Sequence, residues 1–130
     1  MTSEGECAFA KALLARFCAC DRARWHAVGE AERLSCADPA TGERCVRFVR
    51  RLRTAALFAL GRGPLAHGAQ LRLQRGGLQG LVQAIGRPDH RPENVATLLA
   101  EAEARYGTIE ALPWEPIVRA VAACRPRRKA

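Results

Sequence analysis

The sequence predicts an all-α protein: a single domain of four to five helices led by an antiparallel helical hairpin, with one short extended segment near residues 70–74. Three observations predict it. Ala, Leu and Arg, all strong helix formers, are abundant, whereas the aromatic residues that strands favour make up only 5%. Apolar residues recur at helical spacing over two long stretches. Clusters of Gly and Pro break the chain where helices would end.

A chain of 130 residues has the size of one domain and can bury a core without disulfides. The expected layout is a cysteine-bearing hairpin over residues 6–61, a C-terminal helical half over 69–124 and a basic tail over 125–130.

The first expected helix runs from Glu6 to His26. At 100° per residue, Phe9, Leu13, Phe17 and Cys20 share one side, and Ala10, Leu14 and Val28 widen it. Arg24 lands in the middle of that apolar face. Either the regular helix ends or bends soon after Cys20, or Arg24 lays its stem along the core edge and keeps its charge in water. Gly29 can end or kink the helix. Ser35 to Gly42 reads as a loop, broken by Pro39 and Gly42, with Thr41 placed to cap the next helix.

The second expected helix runs from Gly42 to Leu60. Cys45, Phe48, Val49, Leu52, Ala56, Ala59 and Leu60 share its apolar face, and Phe58 points away from that stripe. Beyond the break at Gly61, Gly63 and Pro64, Leu71 and Leu73 alternate as in an extended segment. Gly76 and Gly77 then open a short apolar helix, Leu78 to Ile85, and Gly86 closes it. A polar loop with two prolines comes next. Asn94 is suited to cap a helix from Val95 to Tyr106, with Gly107 just past its end. The last helix starts near Pro113 or Pro116 and runs to Cys124.

Four of the six cysteines, Cys18, Cys20, Cys36 and Cys45, cluster in sequence around the expected turn of the hairpin. Thiolates are soft ligands for zinc and for iron–sulfur clusters, so an iron–sulfur cluster or zinc is the expected cofactor. His26 is a possible additional ligand. The spacing, Cys-x-Cys and then steps of fifteen and eight residues, departs from the zinc-finger and ferredoxin patterns. In a regular helix Cys18 and Cys20 point about 200° apart, so a shared site requires the backbone to leave the helix there. Cys7 and Cys18 nearly share an azimuth but would lie roughly 16 Å apart along a straight helix, too far for one compact site. Two readings compete with the metal. Cys20 and Cys45 lie on apolar faces and can pack as small hydrophobes. Alternatively, the thiols serve redox sensing.

The formal charge of +8 and pI near 10.0 speak to partners rather than fold. Arg44, Arg47, Arg50 and Arg51 share the polar face of the second helix and are the candidate contacts for nucleic acid or another anion. No aromatic interleaving and no recognisable nucleic-acid-binding motif accompanies them. The segment from Gln74 to Gly80 matches neither a phosphate-binding loop nor a full dinucleotide fingerprint, and its glycines suit tight turning and close backbone packing. No local signature supports a nucleophile pair or a carboxylate pair, which points away from an enzyme.

No apolar run is long enough to span a bilayer and the N-terminus lacks a signal-peptide pattern, so membrane insertion is not expected and the cytoplasm is the expected location. Together these features indicate a small cytoplasmic cysteine-rich accessory protein. It would bind a metal or iron–sulfur cluster, in electron transfer, sensing or cofactor assembly, and work with a protein partner. The alternative is a non-enzymatic basic helical adaptor for nucleic acid or an acidic protein.

Overall fold

A computed structural model describes residues 5–87 and 92–124; the expected basic tail and part of the proline-rich loop lie outside these residues. The architecture is mostly helical but not all-α. Among the described residues, six α-helices accompany a two-stranded antiparallel sheet.

The helical hairpin is where expectation and structure part. Helix α1 covers only Ala10–Leu14. Ala15 follows, and Arg16 then takes a left-handed conformation at φ 65°, the one positive-φ non-glycine among the described residues. The Arg16 amide donates to the Leu13 carbonyl and the Phe17 amide reaches back to Ala12, each at 3.0 Å. That pair of bonds is the Schellman stop of a helix, made here without glycine. Phe9, Leu13 and Phe17 are all buried, so the apolar spacing is real, but the chain turns out of the helix between the last two.

Residues read as the rest of the first helix form a β-hairpin instead. Strand β1, Ala23–Val28, pairs antiparallel with β2, Ala31–Cys36. Gly29, at φ 63°, takes the first of the two turn positions between Val28 and Ala31. A tight two-residue hairpin turn asks for glycine in that conformation. Arg24, misplaced on a helix, now faces Ser35 across the sheet, and Leu34 turns into the core. Ahead of α1, the chain adds a short third edge. Glu6 forms an isolated bridge to Ser35, Cys7 N–H donates to Leu34 at 3.1 Å, and Cys36 N–H donates to Gly5 at 2.9 Å.

Helix α2, Pro39–Ala55, begins three residues earlier than expected, with Asp38 at its N-cap and Pro39 in its first turn. The turn at Ala56 separates it from α3, Leu57–Leu60. The extended segment expected near 70–74 is absent: helix α4 runs unbroken through His67–Ala84. The alternating Leu71 and Leu73 misled because the glycines that looked like a helix start lie in the middle of one. Their role is contact. A Cβ on Gly76 would stand 2.7 Å from the Val121 Cα, and one on Gly80 2.8 Å from the Ile117 Cα, so α4 and α6 touch backbone to backbone. A Cβ on Gly77 would run into Leu52 of α2. Each mid-helix glycine costs about 1 kcal/mol against alanine, which close packing must offset.

Helix α5, Val95–Tyr106, and helix α6, Trp114–Ala123, lie within a residue of their expected bounds. A 3-10 turn, Ile109–Ala111, joins them. Side chains seal the helix ends: Arg72 donates to the Val121 and Ala122 carbonyls at the end of α6, and Arg105 to Ile85 at the end of α4. The buried Gln74 of α4 accepts the Ala12 amide at 3.0 Å and pins α1 to the core.

Candidate functional site

Four cysteines from four different parts of the chain line one small cavity of about 10 Å³: the buried Cys45 and the partly buried Cys7, Cys20 and Cys36. Each arrives by a distinct local cause. Cys7 sits on the short extended edge, held beside β2 by the amide bonds of Gly5 to Cys7. Cys20 lies in the turn into β1, where Ala23 N–H donates to its carbonyl at 3.2 Å. That turn is fastened to the start of α5: Val95 N–H donates to Ala19 at 2.9 Å, and Asn94 Oδ1 accepts the Asp21 amide at 3.2 Å. Asn94 stands at the N-cap position of α5, but its side-chain oxygen holds the Cys20 loop rather than capping the helix. Cys36 ends β2, and its thiol donates to the Asp38 carbonyl at 3.2 Å. Cys45 projects from the second turn of α2 and is buried.

The remaining wall is small or apolar, with Ala8, Ala23, Gly42 and Val95 among it. Gly42 packs on Cys36: a Cβ there would sit in ordinary contact, 3.4 Å from the Cys36 Cβ and 3.5 Å from its sulfur. Thr41 also borders the cavity and donates to the Asp38 carboxylate at 2.6 Å. That bond holds the Asp38 carboxyl below its ordinary range.

Burial, first of all, pushes the Cys45 thiol up to about 12, and the neighbouring Cys20, Cys7 and Cys36 push the same way. Burial likewise raises Cys7 to about 11; a backbone hydrogen bond at Phe9 opposes, while Cys20 and Cys36 add to the rise. None of the six cysteines is in a disulfide. Among the described residues, no three His, Cys, Asp or Glu side chains are already arranged to hold a metal ion.

A comparison with protein-family models, with curated proteins and with solved structures finds no match.

Of the cysteines expected to form a site, Cys20, Cys36 and Cys45 meet at the cavity, and Cys18 does not line it. The backbone does leave the helix before Cys18, as a shared site demanded, but the thiol that joins the group is Cys7. The straight-helix distance between Cys7 and Cys18 does not apply, since α1 starts at Ala10, after Cys7. The available signal was positional: Cys7 and Cys20 bracket the short apolar segment, one at each end. His26 is exposed on β1, does not line the cavity, and shares a 2.8 Å hydrogen bond with Ser35 through Nε2.

The arginine face of α2 is engaged inside the molecule. Arg44 Nε lies 2.7 Å from Glu103 Oε1, Arg47 reaches Glu103 at 3.5 Å and Glu110 at 3.8 Å, and Arg51 stacks over Trp114 at 5.5 Å. Arg50 is exposed. Among the described residues, no helix is long and apolar enough to cross a membrane.

Proposed function

We propose that this protein holds a metal centre on the thiolates of Cys7, Cys20, Cys36 and Cys45, either a zinc ion or an iron–sulfur cluster. One observation carries the reading: four thiols from four separate segments line a single cavity. Elsewhere the core is filled by Leu, Ile, Val, Phe and Ala, which pack without any such convergence of sulfur. An all-thiolate donor set suits both candidates. The cavity of about 10 Å³ has room for one ion, which favours zinc and asks the thiols to close around it; a cluster would instead need the cysteine-bearing segments to move apart. Cys7, on an edge held by few main-chain bonds, and Cys36, at a strand end, are the ligands best placed to close.

A bound cation supplies the positive charge that lets buried thiols ionise near neutral pH. The chain's part is to assemble the four sulfurs and to exclude water around them. Four thiolates fill a tetrahedral zinc, and catalytic sites instead keep one position open. A centre with all four positions taken by thiolates serves the fold, or, as a cluster, the passage of electrons, rather than substrate turnover.

The test is anaerobic purification of the full chain from cells supplied with iron and zinc, then elemental analysis, acid-labile sulfide and a visible spectrum. One zinc per chain without colour identifies a zinc site. Iron with sulfide and broad visible absorbance identifies a cluster. Folded, metal-free protein whose thiols all titrate would overturn the proposal.

The adaptor reading has less support. Three of its four arginines already have carboxylate or aromatic partners within the chain.

A further inference from the structure

The four cavity thiols are not equivalent. Cys45 is buried on α2, and the Cys36 thiol, at the end of β2, donates to the Asp38 carbonyl at 3.2 Å. Cys7 and Cys20 differ from both. Each is half-buried, and neither lies in a helix or in a strand of the hairpin. Cys7 is tied to the sheet by its amide bond to Leu34 at 3.1 Å, and Cys20 sits in the turn ahead of β1.

Between these two cysteines runs α1. The stop at Arg16 turns the chain out of that helix, and Cys20 comes to the same cavity wall as Cys7. After burial, Cys20 does more than any other thiol to push up both Cys7 and Cys45. Thiols grouped in this way react with one another's oxidised sulfur readily, because proximity replaces a chance encounter. A disulfide asks two Cα atoms to come within about 4.4–6.8 Å. The segments of Cys7 and Cys20 can shift to meet that demand without breaking a helix or the hairpin.

We propose that Cys7 and Cys20 are a reversible redox pair, which a hydroperoxide joins in a disulfide, and that this discharges the metal. The inference rests on the metal centre proposed above and names its regulation. One of the two sulfurs attacks a peroxide oxygen, the O–O bond breaks, and the departing hydroxide takes a proton to become water. That sulfur is left as a sulfenic acid. The other sulfur attacks it, the S–O bond breaks, the S–S bond forms, and a second water leaves with another proton. Two thiolates have then given up two electrons, and one peroxide with two protons has become two waters. Cys36 and Cys45 remain, and two ligands do not close a tetrahedral site. A thiol reductant restores the pair.

The test loads the full chain with zinc alone under nitrogen and adds a stoichiometric amount of hydrogen peroxide. A chromophoric chelator reads the zinc, and mass spectrometry of unreduced peptides maps the disulfides. The expected result is release of most of the zinc, loss of two of the six thiols and one cross-link joining Cys7 to Cys20, all reversed by dithiothreitol. Cys18→Ser, which alters a thiol that does not line the cavity, should give the same release and the same link. Zinc bound and kept through the treatment would overturn the redox pair and leave the metal centre standing. So would zinc released with any other cross-link, or with sulfinic acid in place of one. No zinc bound at the start would remove the zinc centre itself, and its regulation with it.

Discussion

Arg44 Nε lies 2.7 Å from the Glu103 carboxylate, and the same carboxylate also meets Arg47 at 3.5 Å. One acidic side chain of α5 thus gathers two cations of α2, and both it and Arg44 are about three-quarters buried. A charge-assisted pair in such a setting contributes more than an exposed one.

Glu103→Gln is therefore expected to lower stability by about 1–2 kcal/mol, read from chemical denaturation. It also removes the only carboxylate beside Arg44 among the described ion pairs and leaves Arg47 with Glu110 alone. Binding to a short DNA duplex at low salt should rise above that of the unaltered protein, with a steeper salt dependence. Unchanged DNA binding would mean that Arg44 and Arg47 stay inaccessible without their carboxylate.

The glycines of α4 give opposite expectations within one helix. Gly76→Ala and Gly80→Ala place a Cβ 2.7–2.8 Å from the α6 backbone. The helices must part, at a cost of about 1–3 kcal/mol that exceeds the gain in helix propensity. Gly68, in the first turn, has open space at its Cβ position. Gly68→Ala should be neutral or stabilise by up to about 1 kcal/mol. Thermal midpoints of the three variants decide it.

The buried thiols set a pH dependence whose sign reverses with metal. Cys7 and Cys45 are raised from the ordinary 9.0 to about 11 and about 12. In the metal-free protein the unfolded chain therefore ionises first. Stability is full below pH 9.0 and falls as pH rises through about 11 to 12. With metal bound the thiols are already deprotonated, so stability should instead fall on acidification, as protons displace the metal. Midpoints against pH, with and without a chelator, separate the two.

Much of the helical half was legible. Asn94 and Gly107 flank α5, and the prolines place the start of α6, because breakers act locally, although the Asn94 side chain makes no capping bond and holds Asp21 instead. The first forty residues were not. Phe9, Leu13 and Phe17 carry true helical spacing, yet the stop comes at Arg16, a residue with no propensity for left-handed backbone. Burial of Phe17 imposes it from tertiary structure, and the local bond from Phe17 to Ala12 closes the stop. The hairpin was hidden for the same reason. Its one local mark, Gly29 before Glu30, reads equally as a helix kink. Arg24, a charge on an apolar face, was the residue that marked the helix as already ended. The glycines of α4 are the converse case: a sequence that breaks helices in isolation is retained inside one because α6 needs the space.

The grouping of cysteines was legible in sequence, as was the place of three of the four that line the cavity. Cys20, Cys36 and Cys45 converge, while Cys7 replaces Cys18. The swap arises from where α1 begins and ends, which is set by packing rather than by any residue near the cysteines.

The identity of the four thiols is the central claim, and metal content of two single variants tests it most directly. Cys7→Ser and Cys18→Ser are purified anaerobically beside the unaltered chain and analysed for metal per folded chain. Cys7→Ser is expected to lose most of its metal, and Cys18→Ser to keep the full complement. Retention by Cys7→Ser with loss by Cys18→Ser, or full retention by both, would contradict a centre built on Cys7, Cys20, Cys36 and Cys45.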